Sequence, residues 1–111
     1  MRQFSVYIMS SHRRALYVGV TGNLARRVNQ HKSGSGSRFS RRYNVTQLVY
    51  AEATDNVEHA LNREKQIKNW NRRKKIDLVL SLNPEWNDLA VEWGLTAGKP
   101  EIDDAPGLVE R

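Results

Sequence analysis

Tyr7, Tyr17, Arg27, His31 and Glu64 are the side chains of this sequence whose types and placement can support chemistry. Arg27 and Glu64 stand where apolar residues belong. Arg27 lies three residues after Leu24, beside Val28 and four before His31, in a helical pattern. Glu64 falls inside the stripe Val57, Ala60, Leu61, Ile67, Lys68, at i+4 from Ala60 and i+3 from Leu61. An ionised group with little water around it is costly unless it is paired or bound to a metal. Two readings follow: a structural Arg27–Glu64 ion pair, or a functional site that a pair of tyrosines completes. Each of the other residues also has a plain structural reading. Strand tyrosines commonly pack, and a histidine on a helix face is commonly packed or exposed. With no cysteine in the chain, disulfides, thiolate nucleophiles and zinc–thiolate centres are excluded.

The elements that must position these residues can be read from periodicity. Residues 4–10 and 15–20 are rich in β-branched and aromatic residues and read as two strands joined by Ser11-His12-Arg13-Arg14. Phe4, Val6 and Ile8 share one face of the first; Leu16, Val18 and Val20 share one face of the second. Burying both sets together forces even-numbered residues to pair with even-numbered ones. Tyr7 and Tyr17 then fall together on the opposite face. Asn23 caps a helix carrying Leu24, Val28 and His31. Ser33-Gly34-Ser35-Gly36-Ser37 ends it as a flexible loop that continues through Arg38-Phe39-Ser40-Arg41-Arg42-Tyr43. A third strand is expected at 45–52. Asp55 and Glu58 resemble a capping box opening a helix to about Trp70. Arg72 to Leu82 reads as a further helix with Ile76, Val79 and Leu80 buried. Asn83-Pro84 reads as a stop and restart, with Asn83 the cap of a last helix carrying Trp86, Leu89, Ala90 and Trp93. The order is ββαβααα, a small α/β (α+β) domain over residues 1–94. Residues 95–111, with two prolines, two glycines and no periodicity, are expected to form a disordered acidic tail.

Charge is segregated along the chain. Residues 1–82 hold 16 Lys/Arg against 5 Asp/Glu, and residues 83–111 hold 2 against 7. A basic body suits a polyanion, because each neutralised phosphate releases counterions. The alternative is a solvated surface that serves solubility. No apolar run approaches the ~20 residues of a membrane span. The N-terminal stretch lacks the apolar core and cleavage site of a secretory signal. A cytoplasmic protein without membrane association is expected.

Four motifs, in order, resemble the GIY-YIG nuclease superfamily. They are Ser5-Val6-Tyr7, Tyr17-Val18-Gly19, the helix Asn23-Leu24-x-x-Arg27-Val28-x-x-His31, and Arg63-Glu64-Lys65. The stretch from Gln66-Ile67-Lys68-x-Trp70 to Asn83-Pro84-Glu85-Trp86 looks like small stand-alone bacterial members related to the N-terminal domain of the excision-repair nuclease subunit. The resemblance covers about residues 3–93. It departs from the family pattern in Ser5 for the first motif glycine, in valine for isoleucine in both motifs, and in Val20 where the excision-repair relatives carry lysine.

The resemblance implies a three-stranded antiparallel sheet flanked by helices and a divalent-metal-dependent endonuclease. The substrate it implies is DNA rather than RNA, in repair or recombination. It implies that Glu64 binds Mg²⁺ or Mn²⁺, a hard cation that keeps several waters. Arg27 would neutralise charge on the transition state. Tyr7 would position or deprotonate the attacking water, assisted by Tyr17 and His31, since a free tyrosine with a pKa near ~10 is a poor base. Gly19 would let backbone approach the phosphate, and Asn83 stands for the family's late asparagine. Arg38, Arg41, Arg42, Lys68, Arg72, Arg73, Lys74 and Lys75 are the expected nucleic-acid contacts, with Phe39 and Tyr43 able to stack on bases. A non-catalytic nucleic-acid-binding module of the same fold is the alternative, and no protein partner can be named.

Overall fold

The hairpin sets the sheet. In the computed structural model, which describes residues 2–34 and 38–96, β1 (Phe4–Ser10) and β2 (Leu16–Thr21) pair antiparallel. Val6 faces Val20, Tyr7 faces Gly19, Ile8 faces Val18 and Met9 faces Tyr17. Even pairs with even, as the two apolar faces require. β3 (Gln47–Thr54) adds antiparallel to the other side of β1, giving the order β2-β1-β3 and leaving β2 at an edge.

Both faces of the sheet are covered. Val6, Ile8 and Val18 pack with Val49, Tyr50, Ala60, Ile67 and Val79 under α3 (Val57–Asn69) and α4 (Arg72–Leu82). Tyr7 and Met9 pack with Val28, Leu48, Leu89 and Ala90 under α1 (Leu24–Lys32) and α5 (Leu89–Glu92). The result is the expected α+β arrangement, a three-stranded antiparallel sheet flanked by helices.

One helix more is present than the sequence pattern predicts. Residues Arg38–Tyr43, expected as loop, form α2. Phe39 and Tyr43 are four apart, their ring centroids are 4.7 Å apart, and Phe39 also meets the Tyr17 ring at 6.1 Å. An i,i+4 aromatic pair docked on the sheet edge supplies what local propensity lacks. Ser35, Gly36 and Ser37 lie outside the described residues.

The helix caps also differ in detail. Asn56, not Asp55, caps α3, its Oδ1 accepting from His59 N at 3.0 Å. Asn71 caps α4 in the same way, accepting from Lys74 N at 2.9 Å. Asn83 is the C-cap of α4 rather than the start of another helix. Its Nδ2 donates to Val49 O at 3.1 Å and Asn87 O at 2.8 Å, while its Oδ1 accepts from Asn87 N at 3.0 Å. Those bonds hold residues 84–87 as a loop, so Pro84 begins a turn. Within that loop Trp86 takes a left-handed backbone, φ 56°, and its Nε1 donates to Ser10 Oγ at 3.2 Å. The last helix is therefore short, opening only after the Asp88 cap. Trp93, expected on its buried face, is 45% exposed.

Leu95 packs against the α1–α5 core, and Asn29 Nδ2 donates to its carbonyl at 3.1 Å, so the packed body runs at least that far. Residues 97–111, most of the expected tail, lie outside the described residues. Among the described residues no helix is long and apolar enough to cross a membrane.

Candidate functional site

Tyr7 is the centre of the cluster. Its ring lies across Gly19, its partner on the edge strand: a Cβ at Gly19 would stand 2.5 Å from Tyr7 Oη and 2.6 Å from Cζ. The missing side chain lets the hydroxyl reach the β2 edge. The Tyr7 ring thus makes a close approach at Gly19. His31, on the last turn of α1, places Nε2 3.0 Å from Tyr7 Oη. The Tyr17 ring sits beside both, its centroid 6.3 Å from Tyr7 and 5.0 Å from His31.

The proton inventory of this pair is set by burial. Burial and, after it, the Arg27 charge lower the His31 pKa to about 4, so the imidazole is neutral at pH 7. Burial pushes the Tyr7 phenol well above its ordinary value of 10.0; Tyr17 and Glu64 add to the rise, while Arg27 opposes it by charge and hydrogen bond. At rest Tyr7 is therefore protonated and His31 neutral, and the direction of the hydrogen bond between Tyr7 Oη and His31 Nε2 follows the imidazole tautomer. The other ring nitrogen, Nδ1, is buried without a hydrogen-bond partner among the described residues.

Glu64 reaches the cluster from the other face of the sheet. It sits on α3 between the buried Ala60 and Ile67, with its side chain 14% exposed. Val57 and Leu61 are instead 47% and 45% exposed, so the buried stripe is narrower than the sequence pattern predicts. Its ion pair is with Lys68, Nζ to Oε2 2.7 Å, and not with Arg27. The structural Arg27–Glu64 bridge considered from sequence is absent among the described residues, and the Arg27 charge acts on Tyr7 instead. The helix that carries Glu64 is pinned to β3 by its neighbour: Arg63 Nε donates to Glu52 Oε2 at 3.0 Å, and the guanidinium lies over Trp70.

The basic residues divide. Lys68 and Lys75 join Leu16, Tyr17, Val18 and Phe39 around a hollow of about 230 Å³ that wraps the β2 edge. Of the run at the start of α4, Arg73 pairs with Asp77 at 3.3 Å, Lys74 lies over Trp70 and Arg72 is exposed. Arg38, Arg41 and Arg42 are exposed on α2, with Arg42 over the Tyr43 ring. Asn83 stands apart. It is 4% exposed, and its side-chain hydrogen bonds go to Val49 and Asn87, none to the tyrosine cluster.

Residues 3–77 match the family model of the GIY-YIG catalytic domain. The chain belongs to the GIY-YIG family. A UPF0213 protein of Haloquadratum walsbyi is 40% identical over 74 residues, spanning 67% of this chain and 83% of that one. One from Clostridium perfringens is 37% identical over 76 residues, spanning 68% and 82%. The solution NMR structure of a UPF0213 protein from Bacillus halodurans superimposes with a TM-score of 0.52 at 30% identity, covering 78% of this chain and 93% of that one.

The GIY-YIG family is a nuclease superfamily whose members act on nucleic acids and typically use divalent metals. Its two defining motifs have a direct physical meaning in this chain. The tyrosine of the first lies over the glycine of the second because the hairpin register sets them opposite. A hard cation fits the donors present. Glu64 offers carboxylate oxygens near a phenol, and its one ion-pair partner is a lysine with a 51% exposed side chain that can swing away. Among the described residues no group of three or more His, Cys, Asp or Glu converges, so such an ion would complete its shell with water and phosphate oxygen.

Proposed function

We propose that this chain is an endonuclease of the cytoplasm that hydrolyses phosphodiester bonds, in DNA rather than RNA, with Mg²⁺ or Mn²⁺ held by Glu64. The observation that carries the reading is the Tyr7 hydroxyl, held at the sheet edge between a neutral imidazole and an arginine, within the field of a carboxylate. When bound, the cation supplies Lewis-acid polarisation of the phosphate and stabilises the leaving oxygen.

The chain's own residues supply the rest. Arg27 is exposed, and its positive charge bears on the buried Tyr7 hydroxyl. A phosphate draws the guanidinium outward, where it neutralises charge as the phosphorus becomes five-coordinate. A water takes the vacated place beside Tyr7 Oη. As the water oxygen bonds to phosphorus, its proton passes to Tyr7 Oη and the Tyr7 proton passes to His31 Nε2. The bond to the leaving oxygen breaks, and that oxygen takes a proton from solvent. With the imidazole proton on Nδ1, this relay keeps Tyr7 from carrying a full negative charge, and the withdrawal of Arg27 removes one of the two causes that lower the His31 pKa. Tyr17 packs against the His31 ring and keeps it facing Tyr7. Lys68 and Lys75, with Arg38, Arg41 and Arg42, bind the backbone, and Phe39 and Tyr43 stack on bases.

The test is cleavage of plasmid, single-stranded DNA and RNA of matched sequence with Mg²⁺, Mn²⁺ or chelator. The expected result is metal-dependent cleavage of DNA that Tyr7→Phe slows by at least ~100-fold, the range of lost proton transfer. Cleavage of none of the three substrates with either metal removes the reading.

A further inference from the structure

Beside the tyrosine cluster a second hollow, of about 390 Å³, collects three arginines. Arg2, Arg26 and Arg27 line it together with Gly22, Asn23 and Gln30, and no carboxylate does. None of the ion pairs among the described residues involves these three arginines. Two of them are placed against the local field. Arg26 and Arg27 occupy the first turn and a half of α1, where the helix presents its positive end and no acidic residue offsets it. At the helix start the Asn23 side chain accepts from Arg26 N at 3.1 Å. Arg2 is brought in from the chain's start. Its guanidinium lies over the Phe4 ring at 5.4 Å and against Gly22, where a Cβ would stand 2.9 Å from one terminal nitrogen. Like-charged groups gathered without a counter-charge repel one another, and a polyanion relieves that repulsion.

We infer that this hollow is a second phosphate subsite, gripping a backbone phosphate adjacent to the one that meets Tyr7. Guanidinium is the group best matched to it, with planar donors that pair two at a time with phosphate oxygens. Arg27 belongs to both places, lining the hollow and setting its charge on Tyr7. Occupancy of the subsite therefore fixes the register of the strand across the reaction centre. The inference rests on the nucleic-acid reading above, and not on cleavage.

The experiment is equilibrium binding of fluorescent oligonucleotides, single-stranded and duplex, in chelator across a salt series. Wild type is compared with the double variant Arg2→Ala, Arg26→Ala and with the double lysine variant Arg2→Lys, Arg26→Lys. The double variant is expected to bind roughly ten-fold more weakly, and its salt slope to fall by about 1.4 for single strands or about 1.8 for duplex. The double lysine variant leaves the charge unchanged but removes the planar fork that pairs two donors with phosphate oxygens, so it too is expected to weaken binding. Unchanged affinity and slope in the double variant overturn the subsite. A loss there with wild-type binding in the double lysine variant also overturns it, because the arginines then act as diffuse charge. A wild type that binds no oligonucleotide removes the subsite together with the nucleic-acid reading. A wild type that cuts nothing, while these variants lose affinity as stated, leaves the subsite standing and removes only the nuclease reading.

Discussion

Gly19 has no room for a side chain because the Tyr7 ring occupies it. Gly19→Ala is expected to overpack this point by about 1–3 kcal/mol and to displace the Tyr7 hydroxyl from His31. Chemical denaturation would show the lost stability, and wild-type stability would mean that the ring yields at no cost. His31 carries a pH signature of its own. Its ordinary pKa of 6.5 falls to about 4 in the fold, so between those values the unfolded chain binds the extra proton. Stability is therefore full above 6.5 and is lost as the pH falls towards 4, by up to about 3 kcal/mol. Urea denaturation from pH ~7 to ~4.5 should show this loss in wild type and a smaller one in His31→Gln. Identical profiles would contradict a buried neutral imidazole. At this scale much was legible: strand parity alone set Tyr7 and Tyr17 on one face. The Tyr7–His31 bond was not, because which helix residue meets which strand residue depends on tertiary packing.

The helices show where sequence patterns end. α2 was invisible because it follows a Ser/Gly run and carries too few apolar residues for a periodic stripe; it exists through Phe39 docked on Tyr17. Asn83 read as a cap for the wrong helix because an asparagine before proline fits either a helix stop or a start. Only the Val49 carbonyl across the core decides between them. Glu64 was legible as an intruder, since it lies between Ala60 and Ile67 whatever the exposure of the rest of α3. Recognising α2 as a helix concentrates its cations. With Arg41 and Arg42 exposed on it, Arg41→Ala, Arg42→Ala should weaken nucleic-acid binding with little dependence on sequence. The salt slope should drop by roughly one to two. Titrations that match wild type at every salt concentration would place the strand away from α2.

Across the whole molecule, the sheet edge is the meeting place. α1 brings Arg27 and His31 over one face, α3 brings Glu64 and Lys68 over the other, and β2 lies between them as the exposed edge. A three-stranded sheet with a central β1 can deliver residues from both faces to one line only at such an edge. The segregation of charge fits the same picture, with the basic residues 1–82 containing every group assigned to the site. The most direct measurement is single-turnover DNA cleavage in Mg²⁺ by Glu64→Gln beside wild type, with binding of both measured in chelator. Glu64 holds the cation in this account while lysines and arginines carry affinity, so cleavage should fall at least ~100-fold, the effect of losing a metal's charge stabilisation, with binding nearly unchanged. Cleavage by Glu64→Gln at the wild-type rate would contradict it.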